Sequence, residues 1–388
     1  MTHQPETTII DEIIETIIVN GIEGLGEAFT LLCNEAMKIE RSKVLRAGPW
    51  ERNEERLGHA NGYKPKTLNS RLGKLQLQIP QVRGDIEFYP SSLEKGLRSE
   101  RALKVAMAEM YIQGVSTRKV TNILEGMCGL EVTSSQVSRA AKLLDDELEK
   151  WRNRHLGCIP FLQLDARYES VRHDGSVVSC AVLVATGVTE NGKRSVLGVS
   201  VALSEAEVHW REFLSGLKKR GIHGLRMITS DDHEGLKAAL KSVFNGVPWQ
   251  RCQVHLQRNA SAYVPKLDMR ETVATDIRSI FNAPNREEAE RLLGIIVEKY
   301  RDKASKLASW MESSLPEGFA VFKLPLKMRR RLRSTNMVER LNREIKRRTR
   351  VASLFPNEES LLRLVSAILM ETSEDWESGK IYLKMESE

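Results

Sequence analysis

The sequence predicts an α/β protein whose core is a mixed β-sheet, with helical regions before and after it. Three observations carry this. Residues 156–203 hold three apolar runs separated by the turn signals HDG (173–175) and NG (191–192), the pattern of an antiparallel meander. Residues 205–255 then alternate helical and strand-like segments, as parallel crossovers do. Elsewhere the apolar residues recur at helical spacing. A composition of 41% hydrophobic and 29% charged residues over 388 positions fits a globular chain of two or three domains. No stretch approaches about 18 consecutive apolar residues, and the opening MTHQPETTIIDEIIE lacks a basic region ahead of an apolar one. Neither a membrane span nor a secretory signal is expected.

From the N-terminus, IIDEIIETII and GLGEAFTLLCNEAM read as two helices ending near the GPW at 48–50. ERNEERLGHANGYKPKTLNSR is polar and rich in turn residues. KLQLQIPQVRG and DIEFYP after it alternate as a short β-hairpin, either a DNA-contacting ribbon or a solvated one. These elements form a first region, 1–98. Residues 99–155 read as helices. STRKVTNILEGMCG and GLEVTSSQVSRAAKLLDDELEKW each start with a Ser/Thr cap and meet at a Gly-containing turn. Ser135, Gln136 and Arg139 lie near the start of the second helix, which makes the pair a helix-turn-helix candidate for DNA. Ordinary helical hairpins look alike.

The region 156–255 begins with the strand CIPFLQLDARY, followed by VVSCAVLVATGV and SVLGVSVAL. The helix EAEVHWREFLSGLKKRG, the strand LRMITS, the helix HEGLKAALKSVF and a strand-like WQRCQVH complete it. A dinucleotide-binding domain would need helical crossovers from its first strand and a Gly-rich first turn, and both are missing. A mixed sheet of the ribonuclease H type fits, and for that fold the strand order is 3-2-1-4-5. Residues 256–334 show only helical patterns, so a mainly helical insertion is expected there. Residues 335–388 then supply a helix bearing Glu339 and a last amphipathic helix that covers the sheet.

The net charge is +7, and its distribution matters more than its sum. Twelve Lys/Arg and two acids, Glu339 and Glu344, fall between Lys323 and Arg350, so the rest of the chain is near neutral. Such a patch suits a polyphosphate partner. If the first and fourth strands are neighbours, Asp165 and Asp231 meet at one edge of the sheet, and Glu339 on a packing helix completes a set of hard oxygen ligands. That set suits Mg²⁺ or Mn²⁺ and in-line phosphoryl displacement without a protein nucleophile. Each acid also has a bland reading: a strand-end cap for Asp165, a helix cap for Asp231 with Asp232 as rival ligand, and a surface acid for Glu339. Glu339, Arg343 and Lys346 share a helix face. Arg340, Arg347, Arg348 and Arg350 broaden it into a phosphate-binding surface that adds salt-dependent affinity and little sequence discrimination.

Cys252 and His255 have zinc-like spacing, but two ligands are no zinc site, and a structural role at the end of the fifth strand is preferred. His233 either joins them or hydrogen-bonds in the active site. His209, Trp210 and Trp249 read as packing residues. The five cysteines form no framework, which fits a reducing cytoplasm.

DARYESVRHDG, SDDHEGL, WQRCQVHLQRN and STNMVERLNREIKRRTR resemble the two aspartate segments, the Cys-x-x-His signature and the glutamate segment of prokaryotic Mutator-type transposases, the IS256 group. NGYKPKTL, FYPSSLE, EMYIQGVSTRKV and SSQVSRA extend the resemblance over nearly the whole chain. It implies that Asp165, Asp231 (not Asp232) and Glu339 are catalytic. It implies recognition of terminal inverted repeats on double-stranded DNA, Mg²⁺-dependent strand cleavage, and attack of the freed 3′-hydroxyl on target DNA. A circular intermediate is expected, with end binding by the N-terminal region and at least a homodimer, in the bacterial cytoplasm and at the nucleoid when acting. The alanine common after the second aspartate is Asp232 here, which adds negative charge near the metals. The alternative is an inactive or domesticated DNA-binding regulator, which metal-dependent cleavage would distinguish.

Overall fold

The computed structural model describes residues 8–52, 54–93, 95–96, 98–350 and 354–385. MTHQPET at the start and Glu94 of FYPSSLE lie outside them. The chain forms two units, Met1–Leu143 and Leu144–Glu388.

In the first unit, α1 (Ile9–Asn20) opens with a capping box in which Thr8 and Asp11 satisfy each other's backbone amides. After the turn Gly21–Gly24 it packs against α2 (Leu25–Leu45). β1 (His59–Ser70) and β2 (Gly73–Arg83) pair antiparallel around a two-residue turn, Arg71–Leu72. Leu75, Leu77 and Ile79 alternate onto Met37 of α2, so only one face of the ribbon is buried. The expected hairpin of KLQLQIPQVRG with DIEFYP is thereby corrected. Residues 85–90 lie in no strand, and the partner of β2 is the polar HANGYKPKTLNS. A ribbon with one wet face needs apolar alternation on one strand only, and β2 supplies it. Helices α3 (Arg101–Ile112), α4 (Thr117–Cys128) and α5 (Ser134–Ala141) close around Leu103, Met107, Val120, Leu124, Leu130 and Val137. Ser116 caps α4, and Thr133 caps α5 in a capping box with Gln136.

The second unit starts with α6 (Asp145–Arg152) and is built on five strands: β3 (Phe161–His173), β4 (Ser176–Val188), β5 (Arg194–Ala202), β6 (Met227–Ser230) and β7 (Trp249–Arg251). Their spatial order is β5-β4-β3-β6-β7. β3, β4 and β5 form the antiparallel meander, while β6 and β7 run parallel to β3. Counted within the unit this is 3-2-1-4-5, the order expected above. Between strands, α7 (Glu207–Lys219) and α8 (Glu234–Val243) lay Trp210, Leu214, Leu217, Leu236 and Leu240 on one sheet face, against Leu162, Leu164 and Leu183.

β7 ends at Arg251, and Cys252 is already the N-cap of α9 (Gln253–Ala260). The expected strand-like WQRCQVH is thus half strand and half helix, and His255 is helical. Helices α9, α10 (Met269–Phe281), α11 (Arg286–Arg301) and α12 (Ser305–Ser314) share a core of their own around Leu256, Ile277, Ile280, Leu293, Met311 and Phe319. The chain returns through α13 (Leu326–Leu332) to α14 (Asn336–Thr349) and α15 (Glu358–Ser378), which pack on the second sheet face.

That second face carries a buried polar row. Gln163, Thr229 and Gln250 are adjacent in register on β3, β6 and β7. Their side chains donate to the Arg331 carbonyl (3.5 Å), donate to the Leu332 carbonyl (3.0 Å) and accept from the Val321 amide (2.7 Å), respectively. Ordinary sheet faces bury apolar groups. Along this row the face is polar because it holds backbone groups at the end of α13 and at Val321 that need partners. Beside it, Phe161 and Met227 pack on Val321, Leu324 and Met328.

Candidate active site

Three carriers bring the site together. β3 supplies Asp165 from the centre of the sheet, where Val184 is its neighbour in register. Asp231 follows the last residue of β6, and Glu339 lies in the first turn of α14. They meet around His255, in the first turn of α9. His255 Nδ1 is 3.6 Å from Asp231 Oδ1, and His255 Nε2 is 3.3 Å from Glu339 Oε1. Arg258, one turn further along α9, is 3.7 Å from the same Glu339 oxygen. Asp165 accepts from the Ala166 amide (3.0 Å) and from Asn342 Nδ2 (2.8 Å).

Like charges this close disfavour one another's ionisation. Burial pushes the Asp165 carboxyl up to about 6; Asp231 and Glu339 add to the rise, and His255 and the Ala166 amide oppose it. The His255 imidazole is held up at about 9. The Cys252 sulfur is the largest cause, and Asp231 and Asp165 reinforce it against the opposing effect of burial. Burial pushes the Cys252 thiol up too, but hydrogen bonds with His255 and Thr335 outweigh it and leave its pKa below the ordinary value.

Cys252 is fully buried and has a definite job. The Thr335 amide and hydroxyl both donate to its sulfur at 3.4 Å, and Thr335 is the residue from which α14 starts. The Gln253 amide donates to the Arg333 carbonyl at 3.0 Å. The start of α9 therefore fixes the start of α14, and with it Glu339. His255 takes the other side of the same turn and faces the carboxylates. His233 stands at the N-terminal boundary of α8 without a side-chain capping bond, and its Nδ1 lies 4.0 Å from Glu205.

The two neighbouring aspartates separate cleanly. Asp232 pairs with Lys237 and with Arg251 (2.9 Å), and Arg251 also holds Glu317 at 2.8 Å. Asp231 faces His255. The extra negative charge of Asp232 is thus neutralised beside the cluster.

Asp231 Oδ1 and Glu339 Oε1 are buried without a hydrogen bond. Unsatisfied carboxylate oxygens beside a third carboxylate form a hard, anionic donor set that fits a Mg²⁺-like cation. Cys252, His255 and Glu339 also bring ligand atoms within 4.8 Å of one another. The Cys252 sulfur is already committed to Thr335. Asp165, Asp231 and Glu339 offer the harder oxygen donors, but among the described residues their ligand atoms do not all lie within 4.8 Å of one another, because His255 stands between Asp231 and Glu339.

The basic residues of α14 divide. Arg340, Arg343 and Arg347 line a cleft of about 550 Å³ with Arg194, Glu344 and Trp376. Lys346 and Arg350 are exposed on the last turn. Arg348 also borders that cleft, but it is only 7% exposed and spans Glu344 (2.9 Å) and Glu371 (2.6 Å), so it ties α14 to α15. In the first unit, Ser135 and Arg139 are exposed on α5, with Arg139 donating to the Ser135 carbonyl at 3.3 Å. The Gln136 side chain is turned back to the Thr133 amide at 2.7 Å.

Sequence reasoning missed Asn342, Thr335 and Arg258. Asn342 was within reach, since it lies three residues after Glu339 on one helix face. The other two depend on how α9 meets α14, which no local pattern encodes.

The family model of the Mutator-family transposases matches residues 1–379. The chain is 53% identical to the transposase of insertion sequence element IS406 from Burkholderia multivorans, over 99% of both chains. It is 40% identical to the transposase of ISRM5 from Rhizobium meliloti, over 96% of this chain and 94% of that one. With the transposase of IS256 in transposon Tn4001 from Staphylococcus aureus it shares 34% identity over 96% of each.

Proposed function

Because the chain belongs to the Mutator family of transposases, we propose that it binds the terminal inverted repeats of its own insertion sequence. It cleaves DNA strands by Mg²⁺-dependent hydrolysis, with Mn²⁺ as a substitute. It then directs the freed 3′-hydroxyl at target DNA, by way of a circular form of the element. The sheet is then a ribonuclease H-like catalytic core, α4 and α5 are the helix-turn-helix, and at least two copies bring the ends together. The observation that supports this reading best is the meeting of Asp165, Asp231 and Glu339, from two strands and a helix, around one histidine.

In this reading Asp165, Asp231 and Glu339 hold the divalent cation. When bound, the cation would lower the pKa of a water or a 3′-hydroxyl so that its deprotonated oxygen can attack phosphorus, and would offset charge on the leaving oxygen. The chain's own groups do the rest. Asn342 fixes the orientation of Asp165 through its 2.8 Å hydrogen bond. Thr335 and Cys252 hold the register of α14, so Glu339 arrives beside Asp231. His255 separates two carboxylates that would otherwise repel. Arg340, Arg343, Lys346, Arg347 and Arg350 approach phosphates along α14 and keep the strand in line. Ser135 and Arg139 on α5 contact the ends. Arg347 also pairs with Glu344 (2.7 Å) but is exposed, whereas Arg348 is left out of this set because it is buried between Glu344 and Glu371.

The test is a reaction on DNA carrying both candidate ends from the flanks of the gene, in Mg²⁺, with intact protein, Asp231→Asn and Glu339→Gln. Cleaved 3′ ends and circular or joined products are expected from the intact protein. Each variant should lose at least about 100-fold in rate while still binding the ends. End binding by folded intact protein without cleavage or joining, in Mg²⁺ or Mn²⁺, would instead support a DNA-binding regulator.

A further inference from the structure

Helices α1 and α2 carry an apolar surface that the first unit leaves uncovered. No residue of α1 is buried. Ile9 and Ile13 are half-covered, whereas Ile10, Ile14 and Ile17, spaced by four and three, are exposed. On α2, Ala28, Met37 and Leu45 are buried, while Leu25, Phe29, Leu32, Ala36 and Ile39 step by four, three, four and three and stay exposed. Alternating steps of four and three give the 3.5-residue repeat of a seam between packed helices. The seven large apolar side chains of these two stripes are 37–66% exposed. That is on the order of 500 Å² of apolar surface, at the upper end of an ordinary monomer's largest patch and the better part of the roughly 800 Å² per partner of a standard interface.

We infer that this surface is a self-association face: the α1–α2 pair of one chain packs against that of a second copy, closing a four-helix bundle. A two-fold axis makes one patch its own partner, and two helices with seams of the same period satisfy that requirement. Other occupants fit less well. Residues 9–20 hold three acids and no Lys or Arg, so DNA and anionic lipid are repelled. Ile9–Leu45 is apolar enough to count as a membrane span by length and composition. The Gly21–Gly24 turn, however, cuts off α1 at 12 residues, ~18 Å against a hydrocarbon core of about 30 Å. α2 carries Glu27, Glu35, Lys38, Glu40, Arg41 and Lys43 within what would be the span. The need for two copies in end joining rests on the function proposed above, but the surface itself does not.

The test is the mass of the full chain in solution by light scattering at micromolar concentration. Twice the 44.0 kDa of one chain is expected. Ile14→Glu combined with Leu32→Glu should give the monomer with an unchanged helical circular dichroism spectrum. Ile295→Glu, at an isolated exposed isoleucine on α11, should remain dimeric, as should the conservative pair Ile14→Leu and Leu32→Met. A monomeric wild type would overturn the inference, and so would a dimer undiminished by the two glutamates. Flotation of the wild type, but not of the glutamate pair, with neutral or anionic phospholipid vesicles would assign the face to a membrane and overturn it as well. Should DNA cleavage fail while the mass still halves in the glutamate pair, the face stands and only the catalytic reading falls.

Discussion

His255 and Asp165 make the site a titrating one even without DNA. Both have folded pKa values above their ordinary ones, about 9 against 6.5 for His255 and about 6 against 3.8 for Asp165. A raised pKa contributes stability that is complete below the ordinary value and is lost as the pH climbs through the folded one. The cation-free protein should therefore lose stability between about pH 4 and 6 through Asp165, and again between about 6.5 and 9 through His255. A bound divalent cation offsets the carboxylate repulsion, so Mg²⁺ should raise the melting temperature more at pH 8 than at pH 5. An NMR titration of His255 should give a value near 9, lowered by Asp231→Asn and by added Mg²⁺. A histidine titrating near 6.5 would contradict the geometry. At this scale the sequence pointed to Asp165, Asp231 and Glu339, which the structure brings round His255, but Asp165 lies inside β3 (Phe161–His173) and not at the strand end expected for it. The role of His255 was not legible, since it depends on α9 turning toward α14.

The polar row Gln163–Thr229–Gln250 acts between elements. It holds the segment that leads from the helical insertion to α14. Thr229→Val keeps the side-chain shape but leaves the Leu332 carbonyl without its buried partner, at a cost of about 1–3 kcal/mol. Denaturant melting should show that loss. Strand cleavage should also fall, because Glu339 is carried by the loosened segment. If cleavage is unaffected, the row is structural only. Element boundaries were the least legible part of the sequence. β1 was read as loop because its apolar content is low, yet pairing with β2 and the cover supplied by α2 are enough to make it a strand. The strand-like WQRCQVH was read too long: β6 offers only four residues to pair with, and Cys252 already starts α9.

Across the whole molecule, charge is the quantity that binding should report. Arg343→Ala, Lys346→Ala and Arg350→Ala should each weaken DNA binding whatever the sequence. Each should reduce the slope of log affinity against log salt by about one. Arg348→Ala should instead lower stability by about 1–2 kcal/mol, discounted because Glu344 and Glu371 are part-exposed, with little change in slope. A reduced slope for Arg348→Ala would place it on the DNA after all. The clustered positive charge was visible in the sequence. Which arginines face out was not, because α15 decides it by presenting Glu371.

The carboxylates are spaced along the chain in a way that sets a timetable. Asp165 and Asp231 leave the ribosome long before Glu339, and α14 is held only after α9, α13 and the sheet exist to receive it. A nascent chain of some 330 residues thus displays two acids of three and no groove-lining helix. Under the proposed mechanism, an interrupted round of translation releases fragments that can occupy DNA but cannot cut it. Under that mechanism, the capacity to cut DNA is withheld until Glu339 and α14 have been made.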